Sequence, residues 1–194
     1  MKRASRKPGQ ARNPEETRSA LLDAAETEFN AVGFFGTDTN RIARKAGYAP
    51  QTFYRHFEDK VAVFLAVYDR WWRSEGEAIA AITRRRKGDA AEGIADTAIS
   101  YHAKWRGFRR SLRHLAVEND RVRAARAAAR LAQIAALKAL PRKKKVSDAE
   151  LVAALLKLER LCDAVAENEF HDMGVSKTDA RRTVIEALRE THGL

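Results

Sequence analysis

The segment from Thr37 to Lys60 constrains the fold of this chain more than any other, because it has the pattern of two short helices joined by a tight turn. Asp38 is a typical N-cap residue, since its carboxylate can accept hydrogen bonds from backbone N–H groups two or three residues further on. Gly47 follows a short apolar stripe and predicts the left-handed residue that ends the first helix. Pro50 suits the first turn of the second helix, where its missing N–H costs nothing. The spacing predicts a helix-turn-helix over about residues 38–57.

The second helix of this pair has an apolar face and a polar face. Phe53 and Phe57 are four residues apart, and we expect both to pack inward. The outward residues carry amide, hydroxyl, phenol, guanidinium and imidazole groups, which suit base edges and phosphates. The outward set is Pro50, Gln51, Thr52, Tyr54, Arg55 and His56. In the preceding helix, the amino-terminal residues Thr39, Asn40 and Arg41 are expected to contact the DNA backbone. The alternative is that all of these residues are ordinary solvated surface.

Glycine, aromatic and lysine positions in this region coincide with the predicted helix boundaries. They form the pattern Gly33-Phe34-x-x-Thr37-x-x-x-x-Ile42-Ala43-x-x-Ala46-Gly47-x-x-x-x-Thr52-Phe53-Tyr54-x-x-Phe57-x-x-Lys60. This pattern resembles the signature of the tetracycline-repressor (TetR) family of bacterial transcriptional regulators, over roughly residues 14–65. The resemblance implies that Thr52 contacts a thymine methyl group and that Tyr54 and Lys60 contact phosphates. Asp38 and Tyr48 depart from the family pattern, which more often has Ser or Thr, and valine, at these positions.

Helix starts and stops along the chain predict nine helices and no strand. Only 10 Gly and 4 Pro occur among 194 residues, and this composition also favours helices. We therefore predict an all-α, two-domain architecture with a three-helix head. A flexible basic arm at 1–12 precedes a helix-turn-helix DNA-binding domain at 13–58, and an effector-binding and dimerisation domain follows at 59–194. A helix of about 30 residues, from Glu58 to about Lys87, would connect the two domains.

The last two predicted helices present more apolar surface than a terminal hairpin needs. The capping box Ser147-x-x-Glu150 opens the first of them, which is predicted to run to about Met173. In the TetR family the corresponding helices pair with a two-fold mate, and a homodimer also doubles the number of DNA half-sites that are read. The expected dimer-interface residues are Leu151, Leu155, Leu158, Leu161, Val165, Val184, Ile185 and Leu188.

Aromatic residues on the predicted helices of the second domain are candidates for an effector pocket. Helical bundles commonly build small-molecule sites from such groups and a few polar anchors, and the family resemblance also implies a pocket. The candidate set is Tyr68, Trp71, Trp72, Tyr101, His102 and Trp105. The alternative is that they are plain core residues.

The net charge of +11 lies mostly outside the predicted head. Residues 84–145 hold 18 Lys and Arg against 5 Asp and Glu, whereas residues 1–60 have an excess of only +3. Because arginine suits bidentate contact with phosphate or carboxylate, this region predicts an anionic amphipathic effector, such as a fatty-acyl thioester of coenzyme A or an aromatic acid. The alternative is a solvated basic face that raises non-specific affinity for DNA.

Other functional classes lack their sequence signals. The chain has no glycine-rich phosphate loop or nucleophile elbow, so we do not expect an enzyme. The histidine spacing predicts no metal site, and no cofactor is expected. Cys162, the single cysteine, is expected to be a small buried hydrophobic residue. With neither a signal peptide nor an apolar run of about 20 residues, the expected location is cytoplasmic, away from the membrane.

The sequence therefore predicts a homodimeric, ligand-responsive transcriptional repressor. Its reader helices would enter successive major grooves of a pseudo-palindromic double-stranded DNA operator, and a small-molecule effector would release it. The alternative is a helical enzyme or a protein-docking adaptor that has no sequence-specific DNA binding.

Overall fold

A computed structural model describes residues 13–85, 90–139 and 146–192. Within these ranges the protein is all-α with no strand, as the sequence predicts. The helices are α1 (Pro14–Val32), α2 (Thr39–Lys45), α3 (Pro50–Phe53), α4 (Lys60–Arg85), α5 (Ala91–Lys104), α6 (Arg106–Glu118), α7 (Asp120–Lys138), α8 (Asp148–Ala166), α9 (Glu169–Asp172) and α10 (Lys177–His192). The predicted basic arm at 1–12 lies outside the described residues.

The described ranges hold ten helices rather than the predicted nine. The prediction of one helix from the Ser147 capping box to Met173 is wrong, because α8 ends at Ala166. Asn168 adopts a left-handed conformation with φ 64°, which an α-helix cannot continue through, and the separate single turn α9 follows it. Asparagine tolerates this conformation better than most residues.

Side-chain caps fix most of the predicted helix starts. Asn13 accepts a hydrogen bond from the Glu15 N–H, and Ser147 forms the predicted capping box with Glu150. Asn119 accepts from the Val122 N–H at the start of α7. Each cap satisfies backbone donors that would otherwise lack a partner within the helix.

The long helix α4 packs against both the head, α1 to α3, and the body, which comprises the remaining helices. Its described part has 26 residues and is about 39 Å long. It begins at Lys60, two residues later than predicted, and the predicted end near Lys87 lies outside the described residues. The Phe64 ring lies 5.1 Å from the Phe29 ring of α1 and 4.5 Å from the Phe108 ring of α6, centroid to centroid. One continuous apolar cluster therefore joins the head, α1 to α3, to the part of the body that contains α6 and α7.

The end of α1 and the start of α6 form a close seam between head and body. The Asn30 side chain donates to the Lys104 carbonyl and accepts from the Phe108 N–H. A Cβ added to Gly107 would lie 2.0 Å from the Asn30 carbonyl oxygen, so only glycine fits there. The Phe34 N–H donates to Ser111 Oγ at 2.9 Å. The seam is thus held by direct hydrogen bonds and close backbone packing.

No helix in the described ranges is both long enough and apolar enough to cross a membrane.

Candidate nucleic-acid interface

The helix-turn-helix forms as the sequence predicts, with Asp38 and Gly47 in their expected roles. Asp38 Oδ1 accepts from the Arg41 N–H at 2.7 Å, and Gly47 has φ 81° at the end of α2. Pro50 begins α3. Phe53 and Phe57 are buried, with ring centroids 5.6 Å apart, and they anchor α3 in the core of the head.

The reader segment differs from the prediction in one respect: its α-helix ends at Phe53 and not near Phe57. The last turn tightens, because the His56 N–H donates to the carbonyl three residues back, on Phe53. The Phe57 N–H donates to the same Phe53 carbonyl. The backbone therefore stays coiled through Phe57, and Tyr54, Arg55 and His56 project from this turn.

Every residue of the predicted outward set is solvent-accessible. Gln51, Tyr54 and Arg55 are exposed, while Pro50, Thr52 and His56 are partly exposed. In α2, Asn40 and Arg41 are exposed, and Thr39 is partly exposed. The Thr39 hydroxyl lies 2.9 Å from the Tyr54 hydroxyl, within hydrogen-bond distance, so α2 orients the phenol of the reader segment.

Lys60 points inward. Its ammonium donates to the carbonyls of Phe34 and Thr37 at 2.9 Å each and lies 4.2 Å from the centre of the Phe34 ring. Burial lowers the pKa of Lys60, while the nearby Asp38 charge acts in the opposite direction. Lys60 therefore fastens the α1–α2 turn to the start of α4, and only its third N–H remains for the phosphate contact expected from the family pattern.

Sequence reasoning missed a buried carboxylate in the head, that of Glu28 on α1. Its Oε2 lies 2.6 Å from Arg41 Nε and accepts a 3.2 Å hydrogen bond from the Thr37 hydroxyl. Its Oε1 accepts from Lys45 Nζ at 2.8 Å. Burial raises the pKa of Glu28, but the surrounding donors and positive charges outweigh it and hold the pKa below its ordinary value. Glu28 is therefore ionised, and it binds two cationic side chains that are one turn apart on α2.

In the described part of the chain, the candidate effector-pocket residues lie in different surroundings. Tyr68, Trp71 and Trp105 belong to the apolar core, and His102 is buried in a charged cluster. Tyr101 is partly exposed, and its hydroxyl lies 3.0 Å from Ser74 Oγ. Among the six, only Trp72 lines the open groove of about 460 Å³ on α4, whose lining residues are Trp72, Arg73, Gly76, Glu77, Ala80 and Arg84.

Most arginines of the basic region are already paired with carboxylates of the protein. Arg109 donates to both carboxylate oxygens of Asp163, at 2.6 and 3.1 Å, and Arg113 Nη1 lies 2.7 Å from Asp163 Oδ2. Arg126 and Arg130 donate to Glu159. Paired arginines are less available to an anionic effector, which weakens the charge argument for one.

The acids of this buried cluster were missed, although the sequence carries a signal for them. Glu159, Asp163 and Glu167 are spaced by four residues and so share one face of α8 and its C-cap. Arg109 with Arg113, and Arg126 with Arg130, show the same spacing on α6 and α7. Matching stripes of opposite charge on three helices indicate that the helices pack together through ion pairs.

Burial perturbs the remaining titratable groups of the cluster. Desolvation raises the pKa of Glu75 to about 7, although Arg109 acts against this change. Desolvation also lowers the pKa of His102, although its 2.9 Å hydrogen bond to Asp163 opposes this. A neutral His102 donates from Nδ1 to the Asp163 carboxylate. Cys162 is buried beside the cluster as predicted, and burial raises its pKa to about 12.

The predicted dimer-interface residues need correction. Five of the eight are at most 5% exposed and pack within the chain, so they are not available to a second copy: Leu151, Leu155, Val184, Ile185 and Leu188. Leu158, Leu161 and Val165 are partly exposed. The large apolar side chains that α8 does expose are Val152 and Leu156, one turn apart. The sequence pattern counted apolar positions but could not separate the face of α8 that meets α5 and α10 from the outer face.

Within the described residues, the fold and this site define an all-α helix-turn-helix protein, and comparisons with known proteins show what it is similar to. Residues 21–67 match the model of the bacterial regulatory proteins of the tetR family. YdgC of Bacillus subtilis, an uncharacterised HTH-type transcriptional regulator, is 41% identical over 49 residues, which are 25% of each chain. An uncharacterised HTH-type transcriptional regulator of Haemophilus influenzae is 43% identical over 56 residues, 28% of this chain and 27% of the relative.

These sequence matches span only about a quarter of the curated relatives, whereas the structural similarity covers nearly the whole chain. A Rhodococcus sp. structure described as a TetR-family transcriptional regulator superposes with a TM-score of 0.68 and 18% identity, covering 92% of this chain and 99% of that one. This likeness shows that the chain shares the fold of that structure.

Proposed function

We propose that the protein is a DNA-binding transcriptional regulator that acts on a pseudo-palindromic operator. The proposal rests on the reader segment. There, Phe53 and Phe57 are buried, and the polar side chains between and beside them are accessible to solvent. Gln51 and Thr52 would meet base edges, while Tyr54, oriented by Thr39, would meet a phosphate. Repression is the sign of regulation that we propose.

Selection of binding sites from a random duplex pool tests this function. We expect the full-length protein to enrich an inverted repeat, and its affinity for the enriched duplex to fall steeply as salt concentration rises. A selection that enriches no inverted repeat would contradict the operator model. A protein-docking adaptor or an enzyme would show neither enrichment nor a steep salt dependence.

We also propose that the regulator is a homodimer whose second copy packs on the outer face of α8. Val152 and Leu156 are each at least 40% exposed there, and burying such side chains stabilises association. Leu156→Glu is expected to shift sedimentation equilibrium towards monomer. Val117→Glu is the matched control, because Val117 is an exposed apolar residue on α6. If the two variants dissociate equally or not at all, the α8 interface is wrong.

A small-molecule effector remains part of the proposal, and the α4 groove is its best-supported site. Trp72 offers an aromatic surface, and Arg84 offers positive charge on the helix that begins beside the head, whereas Arg73 is paired with Asp69. These groups suit an amphipathic acid. Thermal shift with decanoate, benzoate and a lipophilic cation tests the class: acids should stabilise the wild type but not Trp72→Ala. Stabilisation by the cation alone would refute an anionic effector.

A further inference from the structure

Glu28 raises an electrostatic question, because a carboxylate beside a DNA-binding surface repels phosphates. It is 2% exposed and lies between α1 and α2. Burial of an ionised carboxylate is costly unless charged partners and hydrogen bonds compensate for it. Here Arg41, Lys45 and Thr37 supply that compensation. The buried Glu28 carboxylate therefore carries a desolvation cost, and the geometry of its contacts indicates its role.

Glu28 holds one nitrogen of Arg41 and the ammonium of Lys45, and it leaves much of each side chain exposed to solvent. Glu28 contacts Arg41 at Nε, and the Arg41 side chain stays 51% exposed. Because the guanidinium is planar, anchoring Nε also sets the direction of the two terminal nitrogens. Lys45 is held through Nζ and stays 40% exposed. Both side chains lose rotamer freedom before any ligand arrives, so binding need not order them.

We propose that Glu28 is a positioning residue for DNA binding, which holds the Arg41 guanidinium and the Lys45 ammonium in the orientation that meets the phosphate backbone. This inference rests on the proposed function, since it assigns a role within the same DNA-binding surface. Arg41 lies in the first turn of α2, where the sequence predicts backbone contacts, and Lys45 follows one turn later.

Replacing Glu28 separates a pure charge effect from a positioning effect, because the two predict opposite changes in DNA affinity. Glu28→Leu removes one negative charge near a polyanion, and this change alone strengthens DNA binding and steepens its salt dependence. If Glu28 positions the two cations, its loss frees them to reorient, and binding weakens in spite of the added positive charge. Leucine suits the site because it is similar in size, and because water can solvate the half-exposed Arg41 and Lys45 once the carboxylate is gone.

The test measures affinity for the selected duplex and for a random-sequence duplex over a range of KCl concentrations. For Glu28→Leu we expect about tenfold weaker binding to the selected duplex, and a salt slope that is smaller in magnitude by about one, as for a lost phosphate contact. Glu58→Gln is the matched control, because it makes the same charge change at an exposed position close to the reader segment. We expect Glu58→Gln to bind as tightly as the wild type or more tightly.

A double-mutant cycle with Arg41→Gln separates positioning from a general structural effect. Positioning predicts that Glu28→Leu has less effect in the Arg41→Gln background than in the wild type, because one of the two groups that Glu28 orients is gone and only Lys45 remains. Circular dichroism and thermal melts establish that each variant is folded at the assay temperature. Glu28→Gln keeps the size and one acceptor, so it replaces Glu28→Leu in the cycle if the leucine variant does not fold.

The outcomes distinguish this inference from the proposed function. If the wild type enriches no duplex, the DNA-binding function itself fails. If the wild type binds a selected operator and Glu28→Leu binds as tightly as Glu58→Gln, the positioning role fails and the function stands. Equal effects of Glu28→Leu in both backgrounds also overturn the positioning role.

Discussion

Two buried carboxylates, one in the head and one in the body, bind basic side chains in contrasting ways. Glu28 and Asp163 are 2% and 3% exposed, respectively, and each contacts two basic residues spaced one helical turn apart. The partners of Glu28 stay 51% and 40% exposed. Around Asp163, the Arg109 side chain is 2% exposed and the Arg113 side chain is 30% exposed, while His102 is 5% exposed. The head thus keeps both of its cations about half exposed, while the body encloses Arg109 and leaves Arg113 less exposed than either partner of Glu28.

This contrast shows that the region of the sequence with the most positive charge need not form the surface that binds a polyanion. The basic excess lies in residues 84–145, but acids of α8 use much of it inside the protein. The head has an excess of only +3 in residues 1–60, yet its cations remain accessible. Exposure after pairing decides which charges a ligand can reach.

The largest expected effect comes from breaking the enclosed network with Asp163→Asn. Removing this charge leaves the buried Arg109 with only the longer 3.7 Å contact to Glu159, and we expect a loss of about 3–5 kcal/mol in unfolding free energy. Chemical denaturation measures the loss. Asp172→Asn is the control, since Asp172 is exposed on α9 and should change stability by less than about 0.5 kcal/mol.

The same substitution in the head sharpens the contrast. Glu28→Gln should cost less than about 2 kcal/mol, because water can solvate the half-exposed partners Arg41 and Lys45. If Glu28→Gln and Asp163→Asn destabilise the protein equally, the distinction between accessible and enclosed cations is wrong.

The pH dependence of stability tests Glu75, which faces the enclosed network. Its folded pKa of about 7 lies above its unfolded value, so the folded state binds more protons between about pH 4.5 and 7. Glu75 therefore makes the protein less stable as pH rises through this window. Glu75→Gln removes this penalty, and its gain in unfolding free energy should grow from roughly 1 kcal/mol at pH 5 to roughly 3 kcal/mol at pH 8.

Denaturation of both proteins in a series of buffers measures this difference. Because the pKa of His102 is lowered, His102 acts in the opposite direction in both proteins: stability rises with pH through the interval below its unfolded pKa. The difference between wild type and Glu75→Gln cancels that contribution to first order. A difference that does not change with pH would mean that Glu75 keeps an ordinary pKa.

A further expected effect concerns the seam that joins the two regions. Gly107→Ala places a methyl group against the Asn30 carbonyl, and the forced shift should cost about 1–3 kcal/mol. Gly76→Ala is the matched control, because a Cβ there meets nothing within 4 Å in the middle of α4. Since alanine favours helix, the control should gain about 0.5–1 kcal/mol in unfolding free energy. Equal changes in thermal melts would show that the seam adapts freely.

The head could be predicted from the sequence because local signals specify it. Asp38, Gly47 and Pro50 each set a helix boundary through their own backbone chemistry, and Phe53 and Phe57 set the buried face. The paired acids could not be predicted in the same way. Glu28 and Arg41 are 13 residues apart and meet only because α1 and α2 cross, which no short-range pattern encodes.

The body was harder to predict, because several of its helices are apolar on more than one face. Leu151 and Leu155 pack inward, whereas Val152 and Leu156 of the same helix face outward, and the sequence alone does not say which face meets a neighbour. The aromatic residues Trp71 and Trp105 were also ambiguous between pocket and core, and the structure places them in the core.

The most direct measurement of the central claim is the specificity ratio of the reader segment. The affinity of the wild type for the selected duplex, divided by its affinity for a random-sequence duplex, should be at least about 10³. Gln51→Ala with Thr52→Ala removes the two proposed base contacts but no phosphate contact, so this ratio should fall by about tenfold or more while random-sequence binding is unchanged. An unchanged ratio in a folded double variant would contradict the claim that this surface reads DNA.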